Sequence, residues 1–417
     1  MHPARPMGGY ACCRRFCLVG LLVAAGDLGA QEPILRRADN APRWGENPRL
    51  VEEVRIGSLV GAEEYSFGSV GGVGVLNDGS VWVGDSQRHA ILRYSAEGAF
   101  LGQVGREGEG PGEFRYPSAL RVMDGGRVFV WDPGLVRISE FSSEGAFLSS
   151  FSPPTHMVGG RFEEFEVDSE GYLYLIALTQ PEVTGATGQE QLLALSRQRR
   201  RSLWLKMDQA GVVLDSIFLL PRRPEGTVDA VWTQTQWSPL GYRVTARNDE
   251  YALTLELRDQ PVQIRRDWTA VPYERAERSA KQRLEEVFAG RNSRPVRDVP
   301  STKLPFSTFH IDSQGRLWVE RHVPGIHVRE TDGERARREE ACEFFGRPRE
   351  ECDKGIREWH EPKTFDVIDP SGLFLGQITL PNRQSELAFC QDDLLWVVER
   401  GAYGEEYIVR YRIAPPS

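Results

Sequence analysis

Six times along the chain, a residue that closes a tight turn is followed three positions later by a large apolar side chain. The turn-closing residues are Gly79, Gly126, Gly171, Glu250, Gly315 and Asp393. The side chains that follow are Trp82, Phe129, Tyr174, Leu253, Trp318 and Trp396, five of them aromatic. The clearest copies are residues 73–105 and 120–151, whose turn glycines Gly79 and Gly126 lie 47 residues apart, as do Gly98 and Gly145. Each copy reads as four short strands: an alternating stretch, an Asp-Gly type turn, a second alternating stretch, a loop, then a Ser-Glu-Gly type turn. An offset of three places the aromatic ring mid-strand, where it fills the space between neighbouring sheets. Repeated units of this kind bury their apolar faces only against one another. Six of them in radial array predict an all-β six-bladed β-propeller of four-stranded antiparallel blades.

The ends of the chain predict closure. The last unit, 385–413, holds only three strands, and LVEEVRIGSL (50–59) precedes the first unit as a spare strand. Pairing it as the outer strand of the last blade removes two open edges. Blade four is read as three strands, YRVTARN, EYALTLEL and PVQIRRDW, followed by a helix over 273–290 in place of a fourth. The stretch GREGEGPGEFRYPSALRV, with VFVWD and ISEFSSEGAFL after it, resembles NHL-type repeats. Over residues 50–415 the chain is similar to the bacterial secreted six-bladed β-propellers. That resemblance implies a fold and little about activity, because propellers host binding modules, lyases and hydrolases alike.

Residues 1–30 read as an export signal, with Arg14 and Arg15 ahead of the apolar run FCLVGLLVAA. The run is too short to span a bilayer, so the expectation is an exported, periplasmic or extracellular protein without a transmembrane segment. Residues 31–49 read as a flexible lead-in to a 50–415 propeller. In an oxidising compartment Cys342 and Cys352, ten residues apart, are expected to form a disulfide. Cys390 sits on an apolar strand and reads as core. The net charge of −9 argues against nucleic acid as a partner.

Function is expected where the long loops gather. Loops between second and third strands share one face of a propeller with the connections between blades. The insertions 178–202, 273–299 and 322–362 all map to that face. Six residues past each turn come Asp85, Asp132, Ala177, Glu256, Arg321 and Glu399, at its mouth. Glu320 and Arg400 flank the series, Arg88 and His89 lie in an adjacent loop, and His310 lies on an innermost strand. These ten polar residues are the candidate ligand-binding set. Asp85 and Asp132, in VGD and VWD, also suit the plainer role of capping backbone N–H groups in their own turns. The carboxylates suit a cation or a hydroxyl-rich ligand, and Arg321 and Arg400 suit a carboxylate. No cofactor is expected, apart from Ca²⁺ in the central channel as an option, since no contiguous calcium loop exists. No GxSxG or HExxH motif is present. The chain is therefore expected to be a monomeric, non-catalytic propeller that binds a protein segment or small ligand. The alternative is a metal-assisted lyase or hydrolase with an axial carboxylate/His site.

Overall fold

The computed structural model describes residues 32–416, apart from 124, 154–164, 179–201, 220–227, 230, 292–293, 345, 347–348, 354–355 and 357. The stretch 1–30, read as an export signal, and nearly all of the 178–202 insertion lie outside the described residues.

Alternating apolar stretches pair into six radial sheets. Blade one is Val70–Val75, Val81–Asp85, Ala90–Tyr94 and Phe100–Val104, hydrogen-bonded in chain order. Blade two runs from Ala119–Val122 to Phe147–Phe151, and blade three from Phe165–Val167 to Val213–Phe218, in the same order. The first strands of blades one and two, two and three, four and five, and six and one touch, as innermost strands around an axis must. Gly71 and Gly72 on the innermost strand of blade one are part of that close approach. A Cβ on Gly71 would stand 2.4 Å from the Pro117 carbonyl oxygen of blade two.

The ring closes as expected. Arg49–Ile56 pairs antiparallel with Glu406–Ala414 and becomes the outer strand of blade six, with Ile56 opposite Ile408. Of the stretch 31–49, expected to be flexible, residues 33–49 are instead placed against the propeller. Ile34–Arg37 adds a fifth, parallel strand to blade four, and Trp44 packs against Trp318 at 6.5 Å.

Blade four corrects the frame read from sequence. Its innermost strand is Thr233–Trp237, followed by Arg243–Arg247, Ala252–Glu256 and Val262–Arg265. The blade thus has a full set of four, and the equivalent turn residue is Gly241 rather than Glu250. Gly241 has φ +82°, matching Gly79, Gly126, Gly171 and Gly315 at +75° to +85°. Only glycine adopts that conformation without strain.

The cores lie between blades. Trp82 packs with Leu120, Val130 and Phe141 of blade two, and Trp396 with Val73, Val83 and Tyr94 of blade one. Trp318 packs with Leu395 and Val397 of blade six. Tyr174 stacks on Trp237 of blade four at 4.1 Å. Val244, three residues past Gly241, packs with blade five. The polar ends of two of these rings are satisfied by an Asp at their own turn: Trp318 Nε1 donates to Asp312 and the Tyr174 hydroxyl to Asp168.

Among the described residues three α-helices sit outside the sheets: α1 (Arg275–Arg291), between blades four and five, and α2 (Asp332–Phe344) and α3 (Arg349–Asp353) within blade five's excursion. A capping box starts α2, with Glu334 N donating to Thr331 Oγ1 and Thr331 N to the Glu334 carboxylate. Cys342 and Cys352 are disulfide-bonded, their Cα atoms 6.3 Å apart, and Cys390 is buried and free. No helix among the described residues is long and apolar enough to cross a membrane.

Candidate functional site

The ten candidate residues do not converge on one point. Asp85, fully buried, accepts from the backbone N–H groups of Gly68, Ser69, Gln87 and Arg88. Asp132 does the same for Arg115, Tyr116 and Leu135. Both carboxylates are spent on holding connectors to strand ends. Arg88 reaches the Ser66 carbonyl and the Glu63 carboxylate. His89 has φ +55° and its Nδ1 lies 2.6 Å from the Arg115 carbonyl. Glu399 accepts from the Tyr411 hydroxyl at 2.6 Å and from Arg55, and Arg400 pairs with Glu406 and Glu386. Glu256 was misplaced by the frame error. It ends a third strand, opposite Arg243, so it lies at the other end of the blade and pairs with that arginine. Arg247 takes the equivalent position instead.

His310 lines the central channel, a 330 Å³ cavity that also exposes an Arg121–Glu166 ion pair at 2.9 Å. Water reaches the imidazole, yet protein surrounds it on every side. That burial, with Lys363 and Arg121 as nearby cations, pushes its pKa down to about 4. Among the described residues no group of three or more His, Cys, Asp or Glu is arranged to hold a metal ion.

Glu320 and Arg321 have different surroundings. They end the second strand of blade five, Leu317–Arg321, beneath the two insertions. There α1, which a return segment (294–305) joins to blade five, and the stretch 358–362, which carries one strand of the small hairpin Ile326–His327/Trp359–His360, enclose a cavity of about 430 Å³. Ala280, Leu284, Phe288, Trp359 and Pro362 form its apolar wall, while Glu320, Arg321, His322, Lys281 and Tyr273 supply polar groups. Helical spacing in the sequence marks Ala276, Ala280, Leu284, Val287 and Phe288 as the packing face of α1, and in the structure that face is rotated. Ala276 is exposed, and Glu277 and Glu285 are buried alongside Ala280 and Ala289.

Those buried acids fix the helix. Glu285 takes Arg294 and Arg297 from the return segment, which hold its carboxyl far below the usual range. Glu277 takes Lys303, whose side chain is fully buried, at 2.6 Å. The same ammonium reaches Glu361 at 3.1 Å and the Val323 carbonyl at 2.8 Å. One cation therefore ties α1 to both sides of blade five's excursion. The Glu277 carboxylate lies so close to Gly325 that a Cβ there would stand 2.4 Å from Oε1. His322 Nδ1 lies 2.9 Å from Glu361 Oε2. Burial raises the Glu361 carboxyl, but His322 and Lys303 outweigh it and hold it below its ordinary value. Glu320 has no such pair, and burial pushes its carboxyl up. Sequence reasoning found Glu320 and Arg321 through their distance from a turn. It missed Glu277, Lys281, Lys303, Tyr273 and Glu361, for which the only signal was that two insertions flank one blade.

Fold and cavity together define a closed six-bladed propeller with a covered pocket on its loop-bearing face. A family model described as a 6-bladed beta-propeller, DUF5128, matches residues 49–200. No curated protein matches the chain. Similar solved structures include a member of the DUF4221 family from Bacteroides vulgatus, 10% identical, covering 88% of this chain and 99% of that one with a TM-score of 0.48. Virginiamycin B lyase from Staphylococcus aureus is 8% identical, with 88% and 100% covered and a TM-score of 0.41. XC5397, a gluconolactonase from Xanthomonas campestris, is 10% identical, with 92% and 99% covered and a TM-score of 0.41.

Proposed function

We propose that this is an exported propeller that binds a small molecule on its loop-bearing face, in the pocket beneath α1. A single observation carries the reading. Two insertions far apart in sequence meet over blade five and enclose about 430 Å³, with an apolar wall and a few convergent polar groups. Ligand sites have that size and make-up. Export is supported by the N-terminal charge-and-apolar pattern and by the paired Cys342 and Cys352. A thermal-shift screen with a fragment library, run in parallel on the wild type and on Ala280→Trp, tests the reading. Ala280 is 6% exposed on the pocket wall, so the indole occupies the cavity. Fragments that stabilise the wild type are expected to lose their effect in the variant, whose own fold is checked by circular dichroism. Equal stabilisation of both proteins places the binding elsewhere and removes the proposal.

A second reading is favoured by the His322–Glu361 contact. An imidazole oriented by a carboxylate is the arrangement of a general base, and Glu320 borders the same cavity. Acid–base hydrolysis there differs from the axial chemistry expected from sequence. Turnover of chromogenic esters that is abolished by His322→Gln supports it, and identical rates in the two proteins dismiss it.

A further inference from the structure

We propose that the pocket's ligand is a zwitterion, a small molecule that offers an ammonium group to Glu320 and a carboxylate to Arg321 beside an apolar body. The inference rests on the ligand-binding reading above. It comes from matching the charges around the cavity. Lys281 is taken by Asp229 at 2.7 Å, Glu285 by two arginines, Glu277 and Glu361 by Lys303, and Glu358 by Arg283 at 3.3 Å. Among the described charged residues that line the cavity, that leaves Glu320 with no ion pair and Arg321 with one long contact, and the two are consecutive in sequence.

The Arg321 side chain makes no hydrogen bond among the described residues. Its Nε is buried without a partner, and its nearest carboxylate is Asp366 at 3.7 Å. Asp366 is already engaged by Tyr251 at 2.9 Å, Gln377 at 3.1 Å and Arg266 at 3.3 Å. Glu320 forms no ion pair among the described residues: the Ser307 hydroxyl donates to its backbone carbonyl at 3.2 Å, and Lys363 and His322 act on its carboxyl only as nearby charges that burial outweighs. No ion pair joins the two among the described residues, although both border the cavity. A guanidinium holds its donors in a planar fork that matches a carboxylate. A partly buried carboxylate without a cation is costly until one arrives. A ligand with only an anion leaves Glu320 unmatched, and one with only a cation leaves Arg321 unmatched. A zwitterion satisfies both without adding net charge. The wall of Ala280, Leu284, Phe288 and Trp359 takes the apolar remainder.

Isothermal titration of the folded chain tests this with probes of three charge separations: L-phenylalanine, glycyl-L-phenylalanine and 6-aminohexanoate. Each is compared with its N-acetyl derivative and its methyl ester. At least one zwitterion is expected to bind, and blocking either end is expected to weaken it by about tenfold or more, the scale of a charge-assisted hydrogen bond. Glu320→Gln should remove the penalty for acetylation, and Arg321→Met the penalty for esterification. If Arg321→Met does not fold, Arg321→Lys keeps the charge and should retain part of the ester penalty. Binding that ignores both blocking groups overturns the zwitterion while leaving the pocket as a site. So does silence from all three probes while library fragments still bind in an Ala280→Trp-sensitive way. If neither probes nor fragments bind, the pocket reading itself fails.

Discussion

A carboxylate at the end of a propeller strand has two uses, and Asp85 and Glu320 take one each. Asp85 is surrounded by four backbone donors and has nothing left to offer a ligand. Asp85→Ala strands those donors in a buried turn. It should cost about 1–3 kcal/mol in urea unfolding, while pocket binding stays unchanged. A loss of binding without a loss of stability would reverse that assignment. Glu320 is the converse. Burial holds its carboxyl above the ordinary value, so across that window the folded chain keeps a proton the unfolded chain has released. Stability from this group therefore falls as pH rises through the window. Glu320→Gln should then raise the unfolding midpoint at pH 8, with the advantage shrinking toward pH 4, as expected where a site is kept at the expense of stability. His310 has the opposite slope. Its pKa of about 4 is below the unfolded value of 6.5, so its contribution is present above pH 6.5 and lost as pH falls toward 4. His310→Phe should flatten that acid limb in a series of denaturant titrations. The aspartates' plain role was open to inspection in the motifs VGD and VWD. The isolation of Glu320 was not, since it depends on which cations fold back onto other acids.

At the scale of elements, two N-terminal strands extend two sheets, and only one is built into a core. Arg49–Ile56 completes blade six, with Ile56 fully buried and Val54 nearly so between blades six and one. Ile34–Arg37 adds to blade four with all four residues exposed. A chain beginning at residue 38 should melt close to the longer one. A chain beginning at 57 loses the closing strand, bares the edge of Glu406–Ala414, and should be recovered as aggregate. Comparable losses for both truncations would mean that closure is not what holds the ring. The closing strand was legible because the last unit was one strand short. The fifth strand was not, because parallel addition to an edge leaves no count unfilled. Blade four was misframed for a related reason. Thr233–Trp237 is half-buried throughout and lacks apolar alternation. Val244 stands where other blades carry an aromatic, so Leu253, one strand later, took its place in the pattern.

For the whole molecule, ring and pocket are held by different means. Among the described residues, the ring depends on five interblade cores and the Tyr174–Trp237 stack. That periodic arrangement is why a repeat in the sequence was enough to predict it. The pocket is covered by α1 and the 322–362 excursion, which obey no period, and they are joined through one buried ammonium. Removing that ammonium in Lys303→Met leaves the buried Glu277 without its cation and Glu361 with His322 alone, a loss of about 3–5 kcal/mol for a broken buried pair. Because these segments lie outside the blade sheets, most of the loss should be local. Hydrogen exchange is expected to accelerate across 275–303 and 322–361, with blades one and two keeping their protection, and pocket ligands should no longer bind. Replacing Glu277 and Glu361 by Gln in the same chain removes the stranded charges and should restore part of the protection over α1. If Lys303→Met instead loosens every blade equally, the insertions are part of the ring's cooperative core. A face that adapts to new ligands by exchanging its insertions would then be the wrong picture of this propeller.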